Sequence, residues 1–404
     1  MEHLISLFGL VVFVGIAYLF SVNRAAIRWP TVLWGISLQL ILALFILKTP
    51  IGLAIFEWLG NLVQQFLDLS DVGAKFVFGD SFAEHFVAFK VLPTIVFFSS
   101  FITILYYYNI LPRVVSAIAF VMMRSMKTSG AESLSCAANI FVGQTEAPLL
   151  VKPYVASLTL SELHAVMTGG FATIAGGVMA AYISMGTSAT HLIAASVMSA
   201  PAALAISKIF YPETEIPKTT GELNIQIEKT HVNVIDAATS GALDGLKLAL
   251  NVAAMLIAFL GLVALVNAIL GWLGQPLGLP KLSLEWMLSY LMAPIAWLIG
   301  VPWVDCPKVA ILLGKKTILN EFIAYLDLSE MVKGDTPQIS ERAKILATYA
   351  LCGFSNLGSI GIQIGGISAI APQRQHDLAK LGLRAMIAGS LACFMTACIA
   401  GLLL

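Results

Sequence analysis

The stretch "TGGFATIAGG", residues 168–177, lies inside a strongly apolar part of the chain, yet holds four glycines and two threonines in ten positions. A glycine in a helix interior costs about 1 kcal/mol relative to alanine. This density therefore predicts that a membrane-length helix unwinds here. Unwinding leaves backbone carbonyls free to bind a cation and half-helix ends free to face polar groups. A second stretch, "CGFSNLGSIGIQIGG" at 352–366, has the same character. Two broken spans in one chain would be a different architecture from a plain helical bundle, so the rest of the sequence is read outward from these two.

The surroundings are those of a membrane protein. Of 404 residues 58% are hydrophobic and 11% charged, the net charge is zero, and the mean hydropathy is +0.88. Soluble domains carry about 25% charged residues. A neutral chain gives no basic surface for nucleic acid. The five cysteines, Cys136, Cys306, Cys352, Cys393 and Cys398, sit in or beside apolar segments without a CxxC pair and read as small packing residues. There is no HExxH, and "GKKT" at 314–317 lacks the upstream glycine of a phosphate-binding loop.

The fold class expected is all-α and polytopic, with eight transmembrane helices, two re-entrant helical hairpins and interfacial helices. Spans are predicted near 3–22, 31–48, 83–110, 160–185, 188–210, 237–272, 341–370 and 380–403. The first has no positive charge before it, and Arg24 and Arg28 follow it, so it reads as an uncleaved span whose N-terminus faces outside. Arg113, Arg124, Lys127, Lys208, Lys218, Lys229, Arg374, Lys380 and Arg384 then follow alternate spans, placing both termini outside. Lys308, Lys315 and Lys316 fall on the other side and break the pattern. In 50–69, Glu57, Asn61, Gln64, Gln65 and Asp68 share one helical stripe, which suits a helix lying in the interface better than a ninth span. The polar stretch 211–236 reads as a cytoplasmic loop. Two apolar segments, 129–156 and 305–327, must start and end on the same side and carry polar residues near their middles. They are predicted as hairpins, which membranes tolerate only where protein surrounds the broken backbone.

A weak internal repeat organises these parts. "GGFATIAG", 169–176, aligns with "CGFSNLGS", 352–359, and "LIAASVM", 192–198, with "MIAGSLA", 386–392. "QTEAPLLV", 144–151, aligns with "LNEFIAYL", 319–326, so Glu146 stands opposite Glu321. Both broken spans are preceded by Ser-Glu, at Ser161-Glu162 and Ser340-Glu341. The long spans 83–110 and 237–272 run in opposite directions, so the copies are inverted. The domain organisation that follows has peripheral spans and an interfacial helix over 1–82, a first repeat over 83–210, the polar loop 211–236, and a second repeat over 237–404. Inverted repeats built from hairpins and interrupted helices belong to secondary transporters, with the ligand between the copies near the midplane.

The chemistry then falls on a few residues. An unpaired carboxylate at the bilayer centre costs at least about 2.5–3.5 kcal/mol, so Glu146 and Glu321 each need a partner, and a ligand hydroxyl or ring N–H is one. The glycines at 361 and 365 read as a close helix contact. The histidines form no cluster and read as loop or interface residues, with His85 and His164 the only two that invite more. No nucleophile–base pair at recognisable spacing supports an intramembrane enzyme, and no pore-lining ring supports a channel.

The segments "NIFVGQTEAPLLVKPY" (139–154), "ILNEFIAY" (318–325) and "LCGFSNLGSIGIQIGG" (351–366) resemble the signature segments of the concentrative nucleoside transporters, in order and at family spacing. The resemblance runs over essentially the whole chain and is to the eight-span bacterial form, without the extra N-terminal spans of animal relatives. It implies a sodium-driven symporter importing nucleosides of the uridine, cytidine and adenosine class, with proton coupling as the alternative. Gln144, Thr145, Glu146 and Val178 would contact the nucleobase, Glu321, Asn356 and Ser359 would hold the ribose, and Phe354 would lie beside the ligand. Sodium would bind the side chains of Asn139 and Thr173 and the carbonyls of Val142 and Ile174. The resemblance also implies a homotrimer in a bacterial inner membrane, no organic cofactor, and elevator-type movement of a substrate-carrying domain.

Overall fold

The computed structural model describes residues 2–221, 231–276, 278–279, 282–333 and 336–404, apart from the Ala83 side chain. Lys229 and the centre of the polar loop, 222–230, lie outside the described residues. Every regular element described is helical, and one isolated bridge joins Ser129 to Thr220.

In chain order the helices are α1 (Glu2–Leu19), α2 (Trp29–Lys48), α3 (Pro50–Asp68), α4 (Ser70–Phe78), α5 (Leu92–Tyr107), α6 (Ile110–Met126), α7 (Gly130–Ala138), α8 (Lys152–Val155) and α9 (Leu160–Ala172). They continue as α10 (Gly176–Ser184), α11 (Ala189–Phe210), α12 (Val234–Gly274), α13 (Leu284–Ile299), α14 (Cys306–Ile318), α15 (Glu321–Val332), α16 (Glu341–Leu351), α17 (Leu357–Ile370) and α18 (Gln375–Leu403). Among the described residues seven segments are long and apolar enough to cross a membrane, α9 with α10 counting as one. The remaining expected span, 341–370, is divided between α16 and α17. The break at 352–356 leaves halves of 11 and 14 residues, each too short to cross a membrane alone.

Both expected breaks are present. α9 ends at Ala172 and α10 begins at Gly176; α16 ends at Leu351 and α17 begins at Leu357. The second hairpin, α14 and α15, runs to Val332, five residues beyond the expected end. The first is lopsided. Its inward arm is α7, started by a Ser129–Glu132 capping box, but its return arm is a 3₁₀ stretch, Ala147–Val151, followed by the single turn of α8. Pro148 and Pro153 remove two backbone donors there, so a regular helix cannot form.

Three helical features depart from expectation. α4, α6 and α13 lie in segments where no element was predicted. The expected span 83–110 opens as a 3₁₀ stretch, Asp80–His85, and a π-helical turn, Phe86–Val91, before α5. His164 is neither loop nor interface: it is buried in α9, with Nδ1 2.7 Å from Ser207 Oγ and its ring stacked on Phe210 and Tyr211.

The core is an inner set of helices. Buried residues make up 89% of the apolar window of α11, 83% of that of α9–α10 and 11% of that of α12. α11 and the C-terminal half of α18 are rich in alanine, serine and glycine, which lets backbones approach closely where lipid gives no hydrophobic drive between helices. α12 has 41 residues, about 60 Å of helix against a hydrocarbon thickness of about 30 Å. Its close partner is α5. A Cβ on Gly241 would stand 2.7 Å from the Ser99 carbonyl oxygen, and one on Gly245 2.8 Å from Val96 Cα. The glycines at 361 and 365, expected to make such a contact, face open space: a Cβ on either meets nothing within 4 Å.

Candidate functional site

The two breaks touch each other. The Phe354 amide donates to the Thr173 carbonyl at 3.1 Å, and a Cβ on Gly353 would stand 2.7 Å from the Phe171 carbonyl oxygen. The first hairpin joins the same place, since the Gly176 amide at the start of α10 donates to the Phe141 carbonyl at 3.0 Å. Unwound backbone from α9–α10, α16–α17 and the hairpin tip is thus satisfied mutually, inside protein, as buried irregular backbone must be.

Asn139, Val142, Thr173 and Ile174 lie on this seam. Asn139 caps the C-terminus of α7. Its Nδ2 donates to the Ser135 carbonyl at 2.9 Å, while its Oδ1 is buried without a partner among the described residues. The Thr173 hydroxyl donates to the Gly169 carbonyl at 2.8 Å, which leaves its oxygen lone pairs available. The carbonyls of Val142 and Ile174 accept no hydrogen bond among the described residues. An amide oxygen, a hydroxyl and two carbonyls are neutral, hard donors, the kind that suit a monovalent cation. The orphaned Asn139 Oδ1 is the feature that a fully satisfied structural asparagine would lack, since such a group costs about 1–3 kcal/mol when left unpaired.

Four of the eight expected ligand-contacting residues, Gln144, Glu321, Asn356 and Ser359, are joined in one chain of hydrogen bonds. Glu321 opens α15 at the tip of the second hairpin, is 4% exposed, and accepts from the Tyr182 hydroxyl at 3.1 Å and from Asn356 Nδ2 at 3.1 Å. Asn356 caps α17, its Oδ1 accepting from the Ser359 amide at 2.8 Å. Ser359 Oγ accepts from Gln144 Nε2 at 3.2 Å, and Gln144 Oε1 accepts from Gln363 Nε2 at 3.0 Å. The chain ends on backbone, with Gln363 Nε2 donating to the Met167 carbonyl of α9 at 3.1 Å. Both hairpin tips and the second half of one broken span are therefore linked through side chains and the Ser359 backbone amide.

Thr145 packs its methyl toward Gly366 of α17, where a Cβ would stand 2.5 Å from it. Val178 is buried in α10 and Phe354 is partly buried beside the break. Glu146 differs from its counterpart. It is exposed, and its carboxylate folds back over Gly143, where a Cβ would collide with Oε2. Of the two carboxylates, Glu321 is the one buried inside protein and supplied with side-chain partners. Two members of the chain, Tyr182 and Gln363, were not foreseen. Both sit mid-helix in apolar sequence, where a lone tyrosine or glutamine has no local pattern to mark it.

A small cavity of about 60 Å³ lies elsewhere, between Arg28, Lys127, Lys208, Glu132 and Glu213. There Lys208, 5% exposed, reaches Glu132 at 2.6 Å and Ser161 Oγ at 2.8 Å, tying α7, α9 and α11 together at one end.

Family models described as "Na+ dependent nucleoside transporter N-terminus", "Nucleoside recognition" and "Na+ dependent nucleoside transporter C-terminus" match residues 8–81, 88–189 and 191–401. The chain is 49% identical over 414 residues to solute carrier family 28 member 3 of Rattus norvegicus, covering 100% of this chain and 59% of that one. It is 47% identical to sodium/nucleoside cotransporter 1 of the same organism, covering 100% of this chain and 64% of that one. It thus spans about three fifths of the length of these relatives. Among solved structures, that of CNTnw in an inward-facing substrate-bound state is similar at a TM-score of 0.94 and 42% identity, covering 100% of this chain and 98% of that one. The chain is a multi-pass membrane protein and belongs to the concentrative, Na+-dependent nucleoside transporter family.

Proposed function

We propose that this protein is a symporter that imports nucleosides on a sodium gradient. The observation that carries the reading is the hydrogen-bonded chain from Tyr182 to Gln363, which joins both hairpin tips across a broken span. Its groups suit a nucleoside. The Glu321 carboxylate can accept from ribose hydroxyls in place of Tyr182 and Asn356, and charged acceptors make the stronger hydrogen bonds. Asn356 and Ser359 complete the ribose end. Gln144, Thr145 and Glu146 offer donors and acceptors to a base edge, with Val178 and Phe354 as its apolar walls.

Sodium would bind at Asn139, Val142, Thr173 and Ile174. Bound there it holds the first hairpin against the broken span, so that the nucleoside need not supply that ordering itself. The mutually paired breaks support the reading of residues 83–210 and 237–404 as inverted repeats. The buried inner helices would travel as a substrate-carrying unit against a scaffold that includes α5 and α12. A homotrimer, a bacterial inner membrane and outward-facing termini complete the reading, and the exposed apolar face of α12 is available to lipid or to neighbouring copies.

The test is uptake of radiolabelled uridine into proteoliposomes under an imposed sodium or proton gradient. Accumulation driven by inward sodium and abolished by its collapse is expected. Accumulation driven by protons alone would overturn sodium coupling, and no accumulation under either gradient would overturn transport.

A further inference from the structure

We propose that Gln363 is a positioning residue that fixes which way the Gln144 amide points, and so makes Gln144 a hydrogen-bond donor toward the base. This rests on the reading of Gln144 as a base contact. Gln363 is fully buried in α17. Its side chain faces two acceptors, the Met167 carbonyl at 3.1 Å and a side-chain atom of Gln144 at 3.0 Å.

The polarity of this chain is set at one end. A backbone carbonyl can only accept, so the group of Gln363 facing Met167 must be its NH₂. That NH₂ offers its second hydrogen to Gln144, whose facing atom must then be the oxygen. The Gln144 NH₂ is left pointing at Ser359 Oγ, 3.2 Å away, and toward the ligand. Ser359 cannot set this direction, because a hydroxyl donates or accepts with equal ease. Gln363 is the only group in the chain that can.

Two further observations mark the residue as placed for this purpose. A Cβ on Gly170 would stand 2.7 Å from Gln363 Nε2 and 2.9 Å from Gln144 Cβ, so the absence of a side chain at Gly170 makes room for both. Gln363 Oε1 is buried with no partner among the described residues. A buried unpaired oxygen opposes stability, so stability does not account for a glutamine here. A site that presents a fixed donor discriminates against bases that present a donor at the same position. The ligand class is therefore a nucleoside whose base turns a carbonyl, and not an exocyclic amine, toward Gln144.

The experiment is equilibrium binding of uridine and cytidine in sodium to wild type, Gln363→Met, Gln144→Met and the double variant, with thermal unfolding of each. Gln363→Met frees the Gln144 amide to turn. It is expected to weaken uridine by about fivefold, the worth of one neutral hydrogen bond, to change cytidine by less, and to leave the unfolding temperature unchanged or higher. In the Gln144→Met background the same substitution should change uridine affinity by less than about twofold, because the group it acts through is gone. Multiplying effects in the double variant, or equal loss of both nucleosides with a lowered unfolding temperature, would overturn the positioning role. If Gln363→Met is not recovered folded, Gln363→Glu replaces it: it keeps the size, removes the donor, and must shift preference toward cytidine for the proposal to stand. Wild type that binds neither nucleoside would instead overturn the functional reading beneath it.

Discussion

Glu321 is where the cost of a residue and its use are most directly connected. A buried carboxylate without partners is expensive in a membrane, and here Tyr182 and Asn356 supply the partners in the absence of a ligand. A ribose can take over one or both acceptor positions. Glu321→Gln should therefore weaken uridine by about tenfold to a hundredfold, since hydrogen bonds to a charged group are worth about 1.5–3 kcal/mol. The loss should be smaller for 3′-deoxyuridine, and isothermal titration of both nucleosides against both proteins measures the difference. Equal losses would remove Glu321 from the ribose. The need for such a partner was legible in the sequence because a lone Glu in apolar surroundings is conspicuous. Tyr182 was not, because a tyrosine in an apolar helix looks like packing until a carboxylate 139 residues away is seen beside it. The lysines that spoil the inside–outside charge pattern are explained the same way. Lys308 and Lys316 donate to the carbonyls of Gln338 and Ala350, and Lys315 reaches Asp327 at 2.7 Å. Lys315 thus has a carboxylate partner, and Lys308 and Lys316 have backbone acceptors.

At the scale of elements, the breaks in α9–α10 and α16–α17 were readable because glycine density signals unwinding wherever it occurs. What glycine density cannot tell is whether a glycine is needed for conformation, for close approach or for neither. Gly353 is needed for approach: its missing Cβ leaves space for the backbone of Phe171 and Ala172, at 2.7 and 3.0 Å. Gly361, eight residues further along in α17, lies on open space. Gly353→Ala must push the two broken spans apart and should cost about 1–3 kcal/mol, the usual penalty for overfilling a packed site. Gly361→Ala should cause no loss, because alanine is the better helix former. Thermal unfolding in detergent separates the two, and an equal effect would mean the breaks do not bear on each other. Two of the helices that escaped the sequence reading, α6 and α13, fail the same test for a different reason. α6 carries Arg113 and Arg124 in 17 residues, and α13 has 16 residues with Pro294 inside, so neither offers the long uncharged run that marks a span.

For the whole molecule, the consequence of the seam between the first hairpin and the two breaks is that an ion and a nucleoside should act on the same element. Asn139 and Gln144 belong to one hairpin tip, five residues apart, the first on the proposed ion site and the second on the proposed base site. An ion that fixes the tip against Thr173 and Ile174 also fixes Gln144, so sodium should raise nucleoside affinity. Linkage then requires nucleoside to raise sodium affinity by the same factor, and couplings between sites usually amount to about 5–150-fold. Asn139→Ala, which removes the orphaned oxygen, should move the sodium concentration for half-maximal uridine binding upward. At saturating sodium, uridine affinity should approach the wild-type value, because the proposed ribose contacts at Glu321, Asn356 and Ser359 are untouched. Thr173→Ser keeps the hydroxyl and should be mild. Thr173→Val keeps the shape, drops the oxygen and should be severe. The measurement is uridine binding titrated with sodium at fixed pH, with potassium holding ionic strength constant, and the reciprocal sodium titration with and without uridine. Unequal factors in the two directions would show that the preparations are not at equilibrium. Uridine binding that ignores sodium and follows pH would take the ion away from this seam and leave a carboxylate, Glu146 or Glu321, as the coupling group.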